Sequence, residues 1–467
     1  MKIQIANLGV IEKAEIDLKP LTVFIGGNGT GKTWTAYTLA SILGEYGCER
    51  YWKAYLDKKT QQRYPIIDNA IEEFLQEGNV RIDLIDFAEE FIETYINDVS
   101  SLSHNWMNTF LETERVNFEN MNVSFNLAEA KQEIFAHIMA HVVQQKFSFG
   151  SQSKNTLHIL KELGKPSIYF YMVSVAEDSI LNKLPKIVFQ KILLQEIFDI
   201  IHRAFYSFIY IFPTERTGVL PLFSSTNKID EYYEDEDYED DDEANISYGK
   251  LTEVVKVFKN MIYSVYEKTS IEREEENQVD PEVSEYIQLA EILENDILGG
   301  KVNIIDESGI DQEILYQPSE NVKLEMTVSS SMVKELAPLV LCLRHLALPN
   351  ELLIIDEPEM NLHPAAQVEI TEFLAMLVQA GLKVLITTHS PYIVDHLANL
   401  MKAAKYEDKE SLKERFYLER TEAFIPQEKV SVYLFEDGTA KNILHEDGRI
   451  DWGTFGNVSD DISHIFP

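Results

Sequence analysis

The sequence is poor in cysteine, in basic residues and in long apolar runs, and each shortage excludes something. Two cysteines, Cys48 and Cys342, stand in 467 residues. They have no metal-ligand spacing and cannot build a disulfide framework, so both read as reduced structural thiols. No stretch is long and apolar enough to span a bilayer. The chain opens on the strand-like alternation Lys2-Ile3-Gln4-Ile5 where a signal peptide would carry an apolar run. The expectation is a cytoplasmic protein with no membrane partner. Lysine and arginine number 41 against 78 aspartates and glutamates, a formal charge of −37. A surface that coats nucleic acid needs a basic footprint, because phosphate neutralisation drives affinity. This balance leaves room only for a local basic groove. Apolar content is ordinary at 45%, enough to fill two or three domains, or one domain with a large insertion.

What the sequence does contain begins at Gly26. Residues 26 to 33 read G-G-N-G-T-G-K-T, after the apolar run Leu21-Thr22-Val23-Phe24-Ile25 and before the helical stretch Trp34 to Leu43. This is a complete phosphate-binding loop, G-x-x-x-x-G-K-[ST], set between a buried strand and a helix. Gly26, Gly27, Gly29 and Gly31, with Asn28 and Thr30 between them, let backbone N–H groups turn toward phosphate oxygens. The helix N-terminus adds partial positive charge at the same spot. Lys32 can reach the β- and γ-phosphates, and Thr33 can offer its hydroxyl to Mg²⁺. The ligands predicted are ATP and Mg²⁺.

Along the chain, Met1 to Ile25 reads as three short strands, two alternating and one continuously apolar. From about Tyr51 to Phe205 the pattern is mostly helical. Ile67, Ala70, Ile71, Phe74 and Leu75 recur at three- and four-residue spacing, as do Leu84, Ala88, Phe91, Ile92 and Tyr95. Leu127 to Val143 repeats the pattern, without sustained heptads and without an internal repeat. Phe208 to Phe212 returns to a strand that ends in Pro213-Thr214-Glu215-Arg216. Asp230 to Glu243 carries no basic residue, and reads either as a solvated loop or as an acidic segment that fills a basic groove on a partner or on this protein. Helices follow over Lys250 to Tyr266 and Pro281 to Glu294. Strands follow over Val302 to Ile305, Glu313 to Tyr316 and Lys323 to Thr327, then a helix over Met332 to Leu346. Leu352 to Ile355 and Val384 to Ile386 read as buried strands joined by a helix over Ala365 to Gln379. A hairpin pairs Ser431 to Phe435 with Asn442 to Leu444 around Asp437-Gly438.

Leu352-Leu353-Ile354-Ile355-Asp356-Glu357 is an apolar strand ending in two carboxylates. The C-terminal end of a buried parallel strand opens into the crevice where a doubly wound sheet binds ligands. Asp356 suits a contact to Mg²⁺, and Glu357 can orient or deprotonate an attacking water. His389 ends the next buried strand and can contact a γ-phosphate there. Ser329-Ser330-Ser331 opens a helix, and reads either as an N-cap alone or as an anion site that meets ATP from a second subunit.

In this order the elements resemble the ABC-type ATPase heads, and among them the AAA-type ATPases of the OLD and RecF-like, SMC-related group. Three strings carry the resemblance: G-G-N-G-T-G-K-T with Asn28, D-E-P-E-M-N-L-H-P over Asp356 to Pro364, and T-T-H-S-P over Thr387 to Pro391. Ile211 to Arg216 looks like a segment common in these ATPases. The resemblance implies an α/β fold, a P-loop ABC-type ATPase head with a large helical insertion. Its N-terminal part would be residues 1–46, the insertion 47–207, and the C-terminal part 208–467 with the acidic loop 230–243. It implies ATP hydrolysis with catalytic Lys32, Glu357 and His389, metal contacts from Thr33 and Asp356, and nucleotide contacts from Gly26 to Thr33. It also implies a homodimer, or a higher homo-oligomer, whose heads sandwich ATP between that loop and the signature serine of the other copy. Ser330 and Ser331 are the alternatives for that serine, because the usual following glycine is missing. Gln61 and Gln62 are the candidates for the glutamine loop. OLD proteins carry a Toprim-type nuclease domain after the head; no D-x-D constellation of that kind follows His389, and the reading is a head without that domain.

Three functions compete. One is an ATPase that senses or regulates a separate effector, a nuclease or toxin, in bacterial antiphage defence. Another is a RecF- or SMC-like DNA-repair ATPase, and the last a nucleotide-gated scaffold with negligible hydrolysis. The charge balance separates the first two. Binding to duplex DNA should be weak and should fall steeply across a salt series followed by fluorescence anisotropy. Tight, sequence-independent binding at physiological salt would favour the repair reading.

Overall fold

The computed structural model describes residues 1–149, 155–174, 186–225, 251–268, 270–279, 281–306 and 312–451. The acidic run Asp230 to Glu243 lies outside the described residues, as does the tail beyond Asp451. The strands, in chain order, are β1 (Lys2–Leu8), β2 (Ile11–Asp17), β3 (Leu21–Gly26), β4 (Asn79–Asp83), β5 (Asn122–Asn126), β6 (Val143–Phe149), β7 (Asn155–Lys161), β8 (Ser167–Ser174), β9 (Ile209–Phe212), β10 (Lys301–Asp306), β11 (Gln312–Ser319), β12 (Val322–Glu325), β13 (Leu352–Asp356), β14 (Lys383–Thr388), β15 (Val430–Glu436) and β16 (Thr439–Asn442). The chain divides into two compact units. One comprises Met1–Asn7, Thr38–Met107 and Asn117–Phe208; the other comprises Leu8–Tyr37, Asn108–Val116 and Ile209–Pro467.

The second unit is built on a sheet whose order runs β2-β16-β15-β3-β14-β13-β9. Every residue of β3, L-T-V-F-I-G, is buried, and so is every residue of β13, L-L-I-I-D. Continuous apolar runs of this kind belong to parallel strands covered on both faces. The pairings agree: β3 lies parallel to β14 and β15, and β13 parallel to β14 and β9. The helix Pro364–Gln379 makes the crossover from β13 to β14, since parallel neighbours cannot be joined by a tight turn. Register fixes where these strands stop. Asp356 pairs with Thr387 and Thr388 with Ile25, so the C-terminal ends of β3, β13 and β14 lie level with one another.

The hairpin β15–β16 turns at Asp437-Gly438, both at positive φ (47° and 73°), as a two-residue type I′ turn demands. Its second arm is Thr439–Asn442, earlier than the expected 442–444, because Glu436 already pairs with Thr439 across that tight turn. The strands expected near residues 302, 313 and 323 form an antiparallel sheet in the order β10-β11-β12.

The first unit mixes helices and strands. Helices Pro65–Glu77 and Leu84–Leu102 bury Ile67, Ala70, Ile71 and Phe74, and Leu84, Ala88, Ile92 and Tyr95, the faces their spacing predicts. Within the same unit β1 pairs antiparallel with β5, and a second antiparallel sheet runs β4-β8-β7-β6. Helices thus share the stretch from Tyr51 to Phe205 with strands, which corrects the mostly helical expectation there. The helix Lys131–Ala140 stops at His141, whose backbone is extended (ψ 135°), and β6 begins at Val143. Leu157 and Ile159, and Ile168 and Phe170, are buried at a period of two, the signature of half-buried strands.

Phe24, at the centre of the second unit's sheet, has no exposed surface and lies with its ring centroid 4.8 Å from that of Phe435 on β15. Phe24→Ala should cost about 3–5 kcal/mol, the range for a large core truncation. A lowered denaturant midpoint with an unchanged m-value is the expected result. A loss below about 1 kcal/mol would place Phe24 outside the packed core.

Candidate functional site

The level strand ends put three loops side by side. After β3 the chain makes the phosphate loop. Gly26 has φ 154°, and a Cβ there would stand 2.4 Å from the carbonyl oxygen of Phe435. At Gly31, with φ 96°, a Cβ would stand 2.8 Å from the Ile11 side chain. Glycine is required at both for the backbone to pass. The helix Lys32–Leu43 starts directly behind, with no acidic residue in its first turn to cancel its positive end.

Lys32 is buried. Its ammonium donates to the carbonyls of Gly26 (3.0 Å) and Gly27 (2.8 Å) and faces His389 Nε2 at 3.1 Å. Burial lowers its pKa, against the raising influence of Glu357, Asp356 and Glu359. His389 Nε2 also lies 3.3 Å from Glu357 Oε1. Burial first, and the Lys32 ammonium next, push the His389 pKa down and favour the neutral ring. The backbone N–H of His389 is held by Glu359 Oε1 at 2.6 Å, which also accepts from the Thr388 hydroxyl at 2.8 Å.

Asp356 is the buried member of the carboxylate pair. Its Oδ1 accepts from Thr33 at 2.9 Å and from the Thr387 hydroxyl, and its Oδ2 accepts from Tyr37 at 3.2 Å. Burial raises its pKa, and the hydrogen bonds from Thr387 and Thr33 partly offset that. Glu357 follows with φ 49°, left-handed for a residue that bears a Cβ, a conformation costing about 1–3 kcal/mol. It is held there by its own N–H on the Thr387 carbonyl (3.0 Å) and by the Met360 N–H on its carbonyl (3.1 Å). The turn swings the Glu357 side chain out of the strand direction and into the cleft.

The cleft has a volume of about 540 Å³ and is lined by the loop residues Asn28 to Thr33 together with Glu357 and His389. Val10 and Trp34 complete its wall. Neither was marked as a site residue from the sequence, although Trp34 directly follows Thr33 and Val10 is a large apolar side chain left 56% exposed. Ser330 and Ser331 do not line this cleft. Both are exposed, and Ser330 caps the helix Ser331–Leu341, its hydroxyl 3.3 Å from the Val333 N–H. Gln61 and Gln62 are exposed residues of the other unit. Two supporting residues were missed by sequence reasoning: Tyr37, one helical turn beyond Thr33, and Arg216, which stands in the P-T-E-R string.

The donors present suit Mg²⁺. Thr33 and Asp356 bring two hard oxygens within hydrogen-bond reach beside the phosphate loop. No group of three or more His, Cys, Asp or Glu side chains is placed to hold a metal among the described residues. Mg²⁺ is commonly held by one or two carboxylates plus phosphate oxygens and water rather than by an all-protein cage. Among the described residues no helix is long and apolar enough to cross a membrane.

A family model described as an AAA ATPase domain matches residues 1–394. The Old nuclease of Escherichia phage P2 is 41% identical over 58 residues, a segment that spans 12% of this chain and 10% of that protein. Among solved structures, the Smc head bound to the C-terminal winged-helix domain of ScpA aligns at a TM-score of 0.37 with 12% identity, covering 95% of this chain and 96% of that one. The Smc head with an extended coiled coil bound to the C-terminal domain of ScpA, derived from Pyrococcus furiosus, also gives 0.37 and 12%, over 99% and 98% of the two chains. The SMC head of Thermotoga maritima gives 0.31 and 9%, over 95% and 97%.

The electrostatics of Asp356 generate a test. Its folded pKa lies above that of the unfolded chain, so its ionised form costs stability at neutral pH, and that cost is relieved as pH falls toward the folded pKa. Asp356→Asn should lose the extra stabilisation that Mg²⁺ and nucleotide add together, read as the difference in melting temperature with and without ligand. A ligand-induced rise in melting temperature that the substitution leaves unchanged would contradict this.

Proposed function

The chain belongs to the AAA ATPase domain family, and on that premise we propose that it binds ATP with Mg²⁺ at the Lys32 cleft, hydrolyses it, and uses the cycle to control a separate effector protein. The observation that carries the reading is the convergence of Lys32, His389 and Glu357 within 3.3 Å contacts in one cleft, beside the Thr33–Asp356 pair. Phosphate oxygens entering the loop take over the Lys32 donors now spent on Gly26 and Gly27. Thr33 and Asp356 would hold Mg²⁺, and the ion would neutralise phosphate charge there. Glu357 orients the water and takes its proton as general base. His389, neutral and hydrogen-bonding, marks the γ-phosphate position.

The cleft supplies donors on the side of the phosphate loop and leaves Ser330 and Ser331 elsewhere on the unit's surface. That supports closure by a second copy, whose exposed serines and helix N-terminus meet the nucleotide from the other side. A site closed only in an assembly couples ATP to oligomer state, which suits a sensor better than a metabolic enzyme. The charge of −37 supports a protein partner over DNA. An effector that is a nuclease or toxin in bacterial antiphage defence is the specific form of this reading.

Glu357→Gln should keep ATP affinity, lose turnover by at least about 10²-fold, the usual contribution of a general base, and accumulate an ATP-bound dimer visible by light scattering. Unimpaired turnover in that variant would remove Glu357 from the chemistry. An unmodified protein that binds ATP without turning it over would point to the scaffold reading.

A further inference from the structure

Arg216 is 1% exposed, among the largest side chains buried in the chain. Its Nη1 donates to the carbonyls of Pro213 (2.7 Å), Asp356 (2.7 Å) and Phe212 (3.2 Å), and its Nη2 to the carbonyl of Glu357 (3.1 Å). Nη2 also forms an ion pair with Glu335, itself buried. The guanidinium does not line the cleft. It grips the backbone of Glu357, which lines the cleft, and of Asp356, whose buried carboxylate accepts from Thr33. One of these, Glu357, is in a left-handed conformation at φ 49° that persists only if its surroundings over-determine it. Glu335 lies on the helix Ser331–Leu341, just over one turn from its cap Ser330. One side chain therefore ties the β13 end to the helix that presents Ser330 and Ser331. Lysine cannot replace it, because a single ammonium cannot span carbonyls on two strand ends and a carboxylate on a helix.

We propose that Arg216 is a positioning residue that sets Glu357 for hydrolysis and, through Glu335, couples that setting to the helix bearing Ser330 and Ser331. Occupancy of the chain's own cleft then alters the serine-bearing helix, and seating of those serines against a second copy's nucleotide alters Glu357. The hydrolysis half of this coupling rests on the reading of the cleft given above; the conformational half needs only nucleotide binding. The guanidinium holds four carbonyls by hydrogen bonds and Glu335 by an ion pair, so a shift at the strand ends is passed to the helix through one planar group.

The test is amide hydrogen exchange on the full-length chain, with and without a non-hydrolysable ATP analogue and Mg²⁺, read beside steady-state turnover. In the unmodified protein the analogue should change exchange within Ser331–Leu341 several-fold. In Arg216→Lys and Glu335→Gln that change should vanish while analogue affinity stays within about twofold. In both variants kcat should fall at least about tenfold with little movement in KM, the pattern of an interaction used in the transition state. A purely structural role would instead lower affinity and melting temperature together and raise exchange throughout the unit. The proposal is overturned if the unmodified helix shows no response to the analogue, a result that needs no variant to fold. It is equally overturned if Glu335→Gln keeps the response. Absence of turnover in the unmodified protein, with the exchange response intact, sinks the hydrolysis reading and leaves the coupling standing.

Discussion

Three buried parallel strands that stop at one level impose the constraint on which the rest depends. Along β3, β13 and β14 the backbone groups pair with one another and apolar side chains fill both faces. At the strand ends that pairing stops, and the polar groups there need other partners within a desolvated setting. The chain answers with side chains of opposite charge. Lys32 caps the carbonyls of the phosphate loop, Asp356 takes the hydroxyls of Thr33, Thr387 and Tyr37, and Arg216 takes the carbonyls of Pro213, Asp356 and Glu357.

Burial disfavours the charged form of each of these groups. Burial lowers Lys32 and His389, brings Arg216 down to about 10, and raises Asp356 and Glu359. The shifts share one first cause, desolvation, and one direction, toward the neutral form. A site of this kind is destabilising by itself and gains from a ligand that brings both charge signs, as a polyphosphate with a divalent cation does. The strained Glu357 belongs to the same trade: a left-handed carboxylate-bearing turn is retained where it aims a side chain into the cleft.

The sequence was informative where chemistry forces residue type at fixed spacing. The phosphate loop needs Gly26 and Gly31 because a Cβ at either would collide with its neighbours, so the loop could be read from its letters. Asp356-Glu357 and His389 followed because a continuous apolar run ends at each. The residues that hold the site from behind were harder. Arg216 acts through backbone carbonyls on two segments and a carboxylate on a third, and no local pattern announces contacts of that kind. Tyr37 was hidden in a helix whose face looked merely apolar. In the first unit, helical spacing in Pro65–Glu77 and Leu84–Leu102 dominated the view of the whole stretch from Tyr51 to Phe205. The strands β7 and β8 were nonetheless visible in principle: S-I-Y-F-Y-M-V-S alternates buried Ile168 and Phe170 with the more exposed Tyr169 and Tyr171, a period-two signal that the longer helices overshadowed.

A cleft with donors on one side and candidate serines displaced on the surface of the same unit reads as half of a site. In a symmetric pair each copy lends its loop to one site and its serines to the other. Mixing two defective proteins tests this most directly: Lys32→Ala in one, and Ser330→Ala with Ser331→Ala in the other. Each alone should fail to turn over ATP. Mixed, they should regain turnover, because the mixed pair contains one site built from an intact loop and intact serines. Two inactive proteins that stay inactive when mixed, while still forming mixed pairs, would contradict a shared site.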